Sequence, residues 1–225
     1  MTSDLTTFPR SRDSGWAEPG SGSHGRASGS RVAGPRHDRE LPVPDLWAVT
    51  CRRMPFAAYL AAPADLRRAE YVHGWTVTRA VPTVRHRQTC ERLRWLLRRP
   101  AVTPSAVVGQ ARWQLRPGDL VRVPDVMVLP RTPGGAAPVT DAPLLVVEVL
   151  AGGESLDVLL KAGEYLRAGA EQLWVVNVVR RVVDVYAASG SGWARLAHLT
   201  VRVPCATVEV TGLGPIELSL AEILG

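Results

Sequence analysis

Residues 144–150 (LLVVEVL) constrain the fold more than any other segment. A short apolar run bounded by Pro143 and by Gly152-Gly153 reads as a central strand covered on both faces. A helix is expected over 155–168 and another strand over 173–178. Together they form a strand–helix–strand unit, which is a right-handed crossover if its strands are parallel neighbours. One residue breaks the apolar rule. Alternation places Leu144, Val146, Glu148 and Leu150 on one face. A carboxylate there is costly unless it is paired, protonated or bound to a metal. The alternative is a strand end at which Glu148 reaches solvent.

The remaining elements are read from periodicity and turn residues. Residues 54–62 form a short helix between Pro55 and Pro63, and 70–80 form two short strands around Gly74. Residues 83–99 form an amphipathic helix with His86, Cys90, Leu93 and Leu97 on one face and Arg87, Arg94 and Arg98 on another. Strands are expected over 107–115 and 120–129, joined by a turn at Pro117-Gly118-Asp119. Further strands follow over 182–187, 193–200 and 207–210. The fold class is therefore a mixed α/β domain. Residues 1–44 are rich in Gly, Ser, Pro and Arg without hydrophobic periodicity, so a disordered tail is expected there, with one folded domain over 45–225.

Composition excludes several classes. No apolar run approaches the roughly 18 residues needed to cross a membrane, and the first residues do not read as a signal peptide. A soluble protein of the cytoplasm with no membrane partner is expected. Cys51, Cys90 and Cys205 form no Cys-x-x-Cys pair, so neither a disulfide framework nor a zinc ribbon is supported. His-Glu-x-x-His, Gly-x-Ser-x-Gly and P-loop motifs are absent. Residues 1–45 are neutral overall, so the net charge of +6 lies wholly beyond them and favours a polyanionic partner such as nucleic acid. The arginines at 87, 94 and 98 are candidates to grip a phosphate backbone. A solvated helix face is the other reading.

Among 27 cationic side chains there is a single lysine, Lys161, on the helix that follows the Glu148 strand. Lysine differs from arginine in having an amine that burial can tune. Asp157, Lys161 and Tyr165 follow at steps of four and form a polar stripe. Asp125, preceded by Pro124, is a second acid entering an apolar strand, and proline there favours an edge or bulge. Asp125 and Glu148 suit a hard divalent ion, Mg²⁺ (or Mn²⁺), that activates water for phosphodiester cleavage. Lys161 would orient or deprotonate that water, or stabilise developing charge. Glu70 is a candidate further ligand, or else an ordinary surface strand residue.

These segments resemble the Uma-two family of restriction endonucleases, within the PD-(D/E)XK nuclease superfamily. The resemblance covers about residues 50–222 and rests on several short motifs in order. They are Glu70-Tyr71-Val72-His73-Gly74, His86, Val123-Pro124-Asp125-Val126, Val147-Glu148-Val149-Leu150, Lys161-Ala162-Gly163-Glu164-Tyr165 and the segment from Gly169 to Val176. It implies a restriction-endonuclease-like core with a central mixed sheet flanked by helices. Asp125 and Glu148 would be the metal-binding acids, Lys161 the catalytic lysine displaced onto the helix, and Glu70 an additional acid. It implies a metal-dependent endonuclease acting on DNA, with RNA not set apart by sequence, and it allows a homodimer. His73, Trp75 and Asn177 depart from the family pattern, so a catalytically silent nucleic-acid-binding module on the same fold is the alternative.

Overall fold

A computed structural model of the protein describes residues 49–62, 68–79, 82–99, 105–135, 137–151 and 155–225. All lie in one compact unit, 42–225. The segment expected to be a disordered tail lies outside the described residues. In chain order the elements begin with β1 (Thr50–Arg53), α1 (Phe56–Leu60), β2 (Glu70–Val72), β3 (Trp75–Thr78) and α2 (Val84–Arg98). Next come β4 (Ala106–Gly109), β5 (Trp113–Arg116), β6 (Leu120–Arg122) and β7 (Val126–Leu129). The crossover unit is β8 (Leu145–Leu150), α3 (Ser155–Arg167) and β9 (Gln172–Asn177). β10 (Val182–Ser189), β11 (Gly192–Leu199), β12 (Cys205–Val210), β13 (Gly214–Ser219) and α4 (Leu220–Leu224) follow.

The main sheet has the order β11-β10-β9-β8-β7-β4. Only β8 and β9, joined through α3, are parallel, and every other neighbour pair is antiparallel. Its mixed character follows from the sequence: a helical crossover permits a parallel pair, and short turns force antiparallel ones. A second, antiparallel sheet has the order β1-β3-β2-β6-β5. The β2–β3 turn places His73 at φ 49° and Gly74 at φ 87°. Two positive φ angles in a two-residue hairpin loop match the right-handed twist of the flanking strands.

β8 is buried along its whole length, and the two helices cover opposite faces of it. Leu145, Val147 and Val149 pack with Leu93 and Leu97 of α2, and the same cluster takes in Val208, Ile216 and Ile223 from β12, β13 and α4. Val146 faces the other way, into a cluster with Met127, Trp113 and Tyr165 of α3. The expected face of α2 is the buried one, and Thr83 caps the helix by accepting from the His86 N–H at 3.2 Å.

The strands expected over 107–115 and 120–129 are each broken into two. β4 pairs with β7 in the main sheet, while β5 pairs with β6 in the second. The ribbon therefore steps from one sheet to the other at 110–112 and 123–125. Pro124 cannot donate to a ladder, and Gln110 adopts φ 50°, its N–H donating to the Asp125 carbonyl at 3.2 Å. Asp125 thus stands at the joint, just ahead of β7.

Truncation should separate core from surface. Leu93→Ala, at a fully buried side chain, is expected to lower the unfolding free energy by about 2–5 kcal/mol. Leu159→Ala, at a side chain 70% exposed on α3, is expected to change it by less than about 0.5 kcal/mol. Urea denaturation reads both.

Candidate metal centre

The ladder between β7 and β8 begins at the Val126–Val147 pair. One step further, the Asp125 side chain takes over the role of the missing strand. Its Oδ2 accepts the Val149 N–H at 2.8 Å. This bond fixes the Asp125 carboxylate beside the C-terminal half of β8, next to the residue that carries Glu148.

Glu148 is buried on the α3 side of the sheet, where the alternation of β8 places it. Its Oε1 accepts from the Tyr165 hydroxyl at 2.5 Å and lies 3.8 Å from the Lys161 ammonium. The polar stripe of α3 is therefore not a solvated face: Lys161 and Tyr165 are buried against the sheet. Lys161 Nζ also lies 2.7 Å from Glu70 Oε1 and 3.3 Å from Asp157 Oδ2. Glu70, from β2, reaches it from the second sheet. Its other oxygen accepts from Arg122 Nη1 at 2.8 Å, and Arg122 in turn holds Glu164 of α3 through two bonds. Arg79 pairs with Asp157 at 2.7 Å. Both Glu70 oxygens are engaged by cations, Oε1 by Lys161 and Oε2 by Arg122, so this acid anchors Lys161.

The protonation states follow from these neighbours. Burial pushes the Glu148 carboxyl up to about 7, against the pull of Lys161 and with added repulsion from Asp125. Burial alone would raise Glu70 as well, but Lys161 and Arg122 more than offset it and hold the group below its ordinary value. For Lys161, burial would favour the neutral amine, yet Glu148, Glu70 and Asp157 outweigh it and hold the group above its ordinary value. In the metal-free protein these neighbours favour the ammonium form of Lys161.

A residue placed on the apolar face of α2, and among the motifs of the family resemblance, also lies against this centre. His86 Nε2 lies 3.2 Å from Asp125 Oδ2, and its Nδ1 lies 3.5 Å from Cys90 Sγ one turn along the helix. His86, Cys90 and Asp125 bring ligand atoms within 4.8 Å of one another. The signal in the sequence was the i, i+4 spacing of His86 and Cys90, which the hydrophobic pattern absorbed.

Among the described residues, the hydrogen bonds to the acidic pair go to Asp125 Oδ2 and Glu148 Oε1. Each carboxylate has a second oxygen, Asp125 Oδ1 and Glu148 Oε2, to offer a ligand. This donor set, two carboxylates with an adjoining imidazole, fits a divalent cation. The α2 arginines do not join the centre. Arg87 Nη1 donates to the Pro82 carbonyl, Arg94 pairs with Glu91 at 2.6 Å, and Arg98 Nη2 donates to the Val107 carbonyl at 3.0 Å. The positions that depart from the Uma-two pattern also lie elsewhere. His73 pairs with Asp119 in an exposed turn, Trp75 is exposed, and Asn177 accepts the Arg180 N–H.

A mixed sheet covered by helices on both faces, with one acid on a central strand, another just ahead of its neighbour and a lysine on the crossover helix, is a restriction-endonuclease-like fold. The fold is similar to that of "a putative nuclease belonging to DUF820" from Anabaena variabilis ATCC 29413, at a TM-score of 0.60 and 18% identity, covering 76% of this chain and 97% of that one. The family model described as "Putative restriction endonuclease" matches residues 56–213, and the chain belongs to that family, Uma2. No curated protein matches the sequence.

The raised Glu148 carboxyl has a measurable consequence for stability. Between about 4.5 and about 7 the folded protein binds more of this proton than the unfolded chain does. The contribution of Glu148 to metal-free stability therefore falls as pH rises through that window. Urea denaturation in EDTA from pH 4.5 to 7.5 is expected to show Glu148→Gln gaining on the wild type as pH increases.

Proposed function

We propose that the protein is a metal-dependent endonuclease that hydrolyses phosphodiester bonds of DNA, at a site formed by Asp125, Glu148 and Lys161. The observation that carries this reading is the buried Lys161 ammonium beside Glu148, on the strand whose next N–H fixes Asp125. A buried carboxyl, an acid at a sheet joint and a lone lysine are together costly for a fold that needs only packing. Family membership supports the same reading.

Asp125 and Glu148 would hold Mg²⁺ (or Mn²⁺) through their remaining oxygens. When bound, the ion supplies Lewis-acid polarisation of the phosphate and a water of lowered pKa. Tyr165 fixes the Glu148 carboxylate. Lys161, held in place by Glu70, donates to the attacking water or to a phosphate oxygen and stabilises the charge that develops there. Arg87, Arg94 and Arg98 on α2 are the proposed phosphate contacts, with Arg87 and Arg98 exposed and Arg94 half-buried. One such site cuts one strand, so a double-strand break needs a second copy of the chain. No helix among the described residues is long and apolar enough to cross a membrane, and the cytoplasm is the proposed setting. The binding-only alternative draws on the Arg-rich helix α2 together with the departures at His73, Trp75 and Asn177, and of these His73 pairs with Asp119 and Asn177 accepts the Arg180 N–H, away from the acidic pair.

Supercoiled plasmid, single-stranded DNA and RNA are the substrates for the test, with Mg²⁺ or Mn²⁺ against EDTA. Wild-type protein is expected to cut DNA only with metal. Glu148→Gln and Lys161→Ala are expected to lose on the order of 100-fold or more in rate. Circular dichroism is needed alongside, because Lys161→Ala leaves Glu70 and Glu148 without their shared counter-ion. Cutting of RNA alone would reassign the substrate, and equal cutting by folded variants would sink the site.

The rate should also depend on pH. The ion requires an ionised Glu148, and burial holds that carboxyl up to about 7. Cleavage at subsaturating metal is therefore expected to rise as pH increases through about 7. A rate independent of pH between 6 and 8 (about one unit either side of that value) would contradict it.

A further inference from the structure

We infer that His86 is a third protein ligand of the ion, through Nε2, and that this nitrogen tunes the centre to a first-row transition ion such as Mn²⁺ in preference to Mg²⁺. The inference rests on the metal-dependent reading above and assigns a residue outside the acidic pair and the lysine.

Four observations carry it. His86 is buried, in the first turn of α2, where the Thr83 cap fixes its backbone. Its Nε2 lies 3.2 Å from Asp125 Oδ2. That contact sets Nε2 beside the Asp125 carboxylate, so an ion held by the other Asp125 oxygen would lie within reach of the imidazole. The Asp125 oxygen cannot retreat, because the Val149 N–H holds it at 2.8 Å. Finally, the far side of the ring is occupied. Nδ1 faces Cys90 Sγ at 3.5 Å, which leaves Nε2 as the nitrogen directed at the acid.

Ligand chemistry then decides the ion. Mg²⁺ prefers oxygen and holds its water tightly, so a site of two carboxylates alone accepts it well. An imidazole donor shifts preference toward first-row transition ions. Cys90 acts as a positioning residue here. A metal-bound histidine is oriented by whatever its second nitrogen meets, and such partners set affinity by about 10–100-fold.

The test reads ion binding by the full chain, without nucleic acid and without turnover. Calorimetry with MnCl₂ and with MgCl₂ gives the two affinities, and pulsed electron paramagnetic resonance of bound Mn²⁺ reports nitrogen coupling. Wild-type protein is expected to bind Mn²⁺ at least about tenfold more tightly than Mg²⁺ and to show the nitrogen signal. His86→Ala is expected to lose about tenfold or more in Mn²⁺ affinity, with the nitrogen signal gone, and to change less than about threefold toward Mg²⁺. His73→Ala and His198→Ala, at exposed histidines paired with Asp119 and Asp184, should retain both properties. His86→Asn keeps a polar group in the buried position and serves if the alanine variant fails to fold. Unchanged Mn²⁺ affinity and a persisting nitrogen signal in a folded His86 variant overturn the inference. If Asp125→Asn and Glu148→Gln abolish binding of both ions in that case, the acidic pair stands without His86. Should none of these substitutions alter ion binding, the metal-dependent reading falls with it.

Discussion

The buried ammonium of Lys161 holds the two halves of the fold together. It lies between Glu70 from the second sheet and Glu148 from the main sheet, and it is carried by the helix that connects the two parallel strands. Arg122 repeats the pattern, bridging Glu70 to Glu164 of the same helix. Removing one member of such a network strands a charge away from water, at a cost of about 3–5 kcal/mol. Replacing the whole network by well-packed apolar side chains is often neutral or stabilising. Stability alone therefore gives little reason for it, and a task for the charge gives a better one.

Its electrostatics are asymmetric. Glu70 faces two cations within hydrogen-bonding distance and ionises readily, while Glu148 meets, among the described residues, the more distant ammonium and a phenol. Two carboxyl groups around one lysine thus take different roles. One holds the cation, and the other carries its charge only reluctantly until a second positive charge arrives. Asp125, fixed by a backbone N–H and bordered by His86, stands where that charge would be shared.

Much of this was legible in the sequence. The crossover unit could be read because its pattern is local: an unbroken apolar strand, a glycine break, a helix with one stripe of polar residues. Glu148 and Lys161 stood out against their own backgrounds, one as a charge in an apolar run and the other as the sole amine among arginines. What escaped was non-local. The splitting of two expected strands depends on Gln110 adopting a left-handed backbone and on which sheet each half joins, and Pro124 was the only hint. The burial of the α3 stripe could not be seen either, since spacing of four residues is the same for a solvated face as for one turned toward a second sheet. His86 was named among the motifs of the resemblance, but its contact with Asp125 was hidden, because a histidine at an apolar position satisfies the helical pattern without announcing a partner. β1, β13 and α4 escaped as well, because TCRR, GPIELS and LAEIL are too short to carry a period.

The solitary lysine has a practical corollary. A chain whose only ε-amine is 4% exposed offers amine-directed reagents almost no side chain to react with while it is folded. Acylation of Lys161 then becomes a chemical clock for the opening of the protein. Its rate measures how often the helix lifts from the two sheets, and it does so at the centre of the fold rather than at a frayed end.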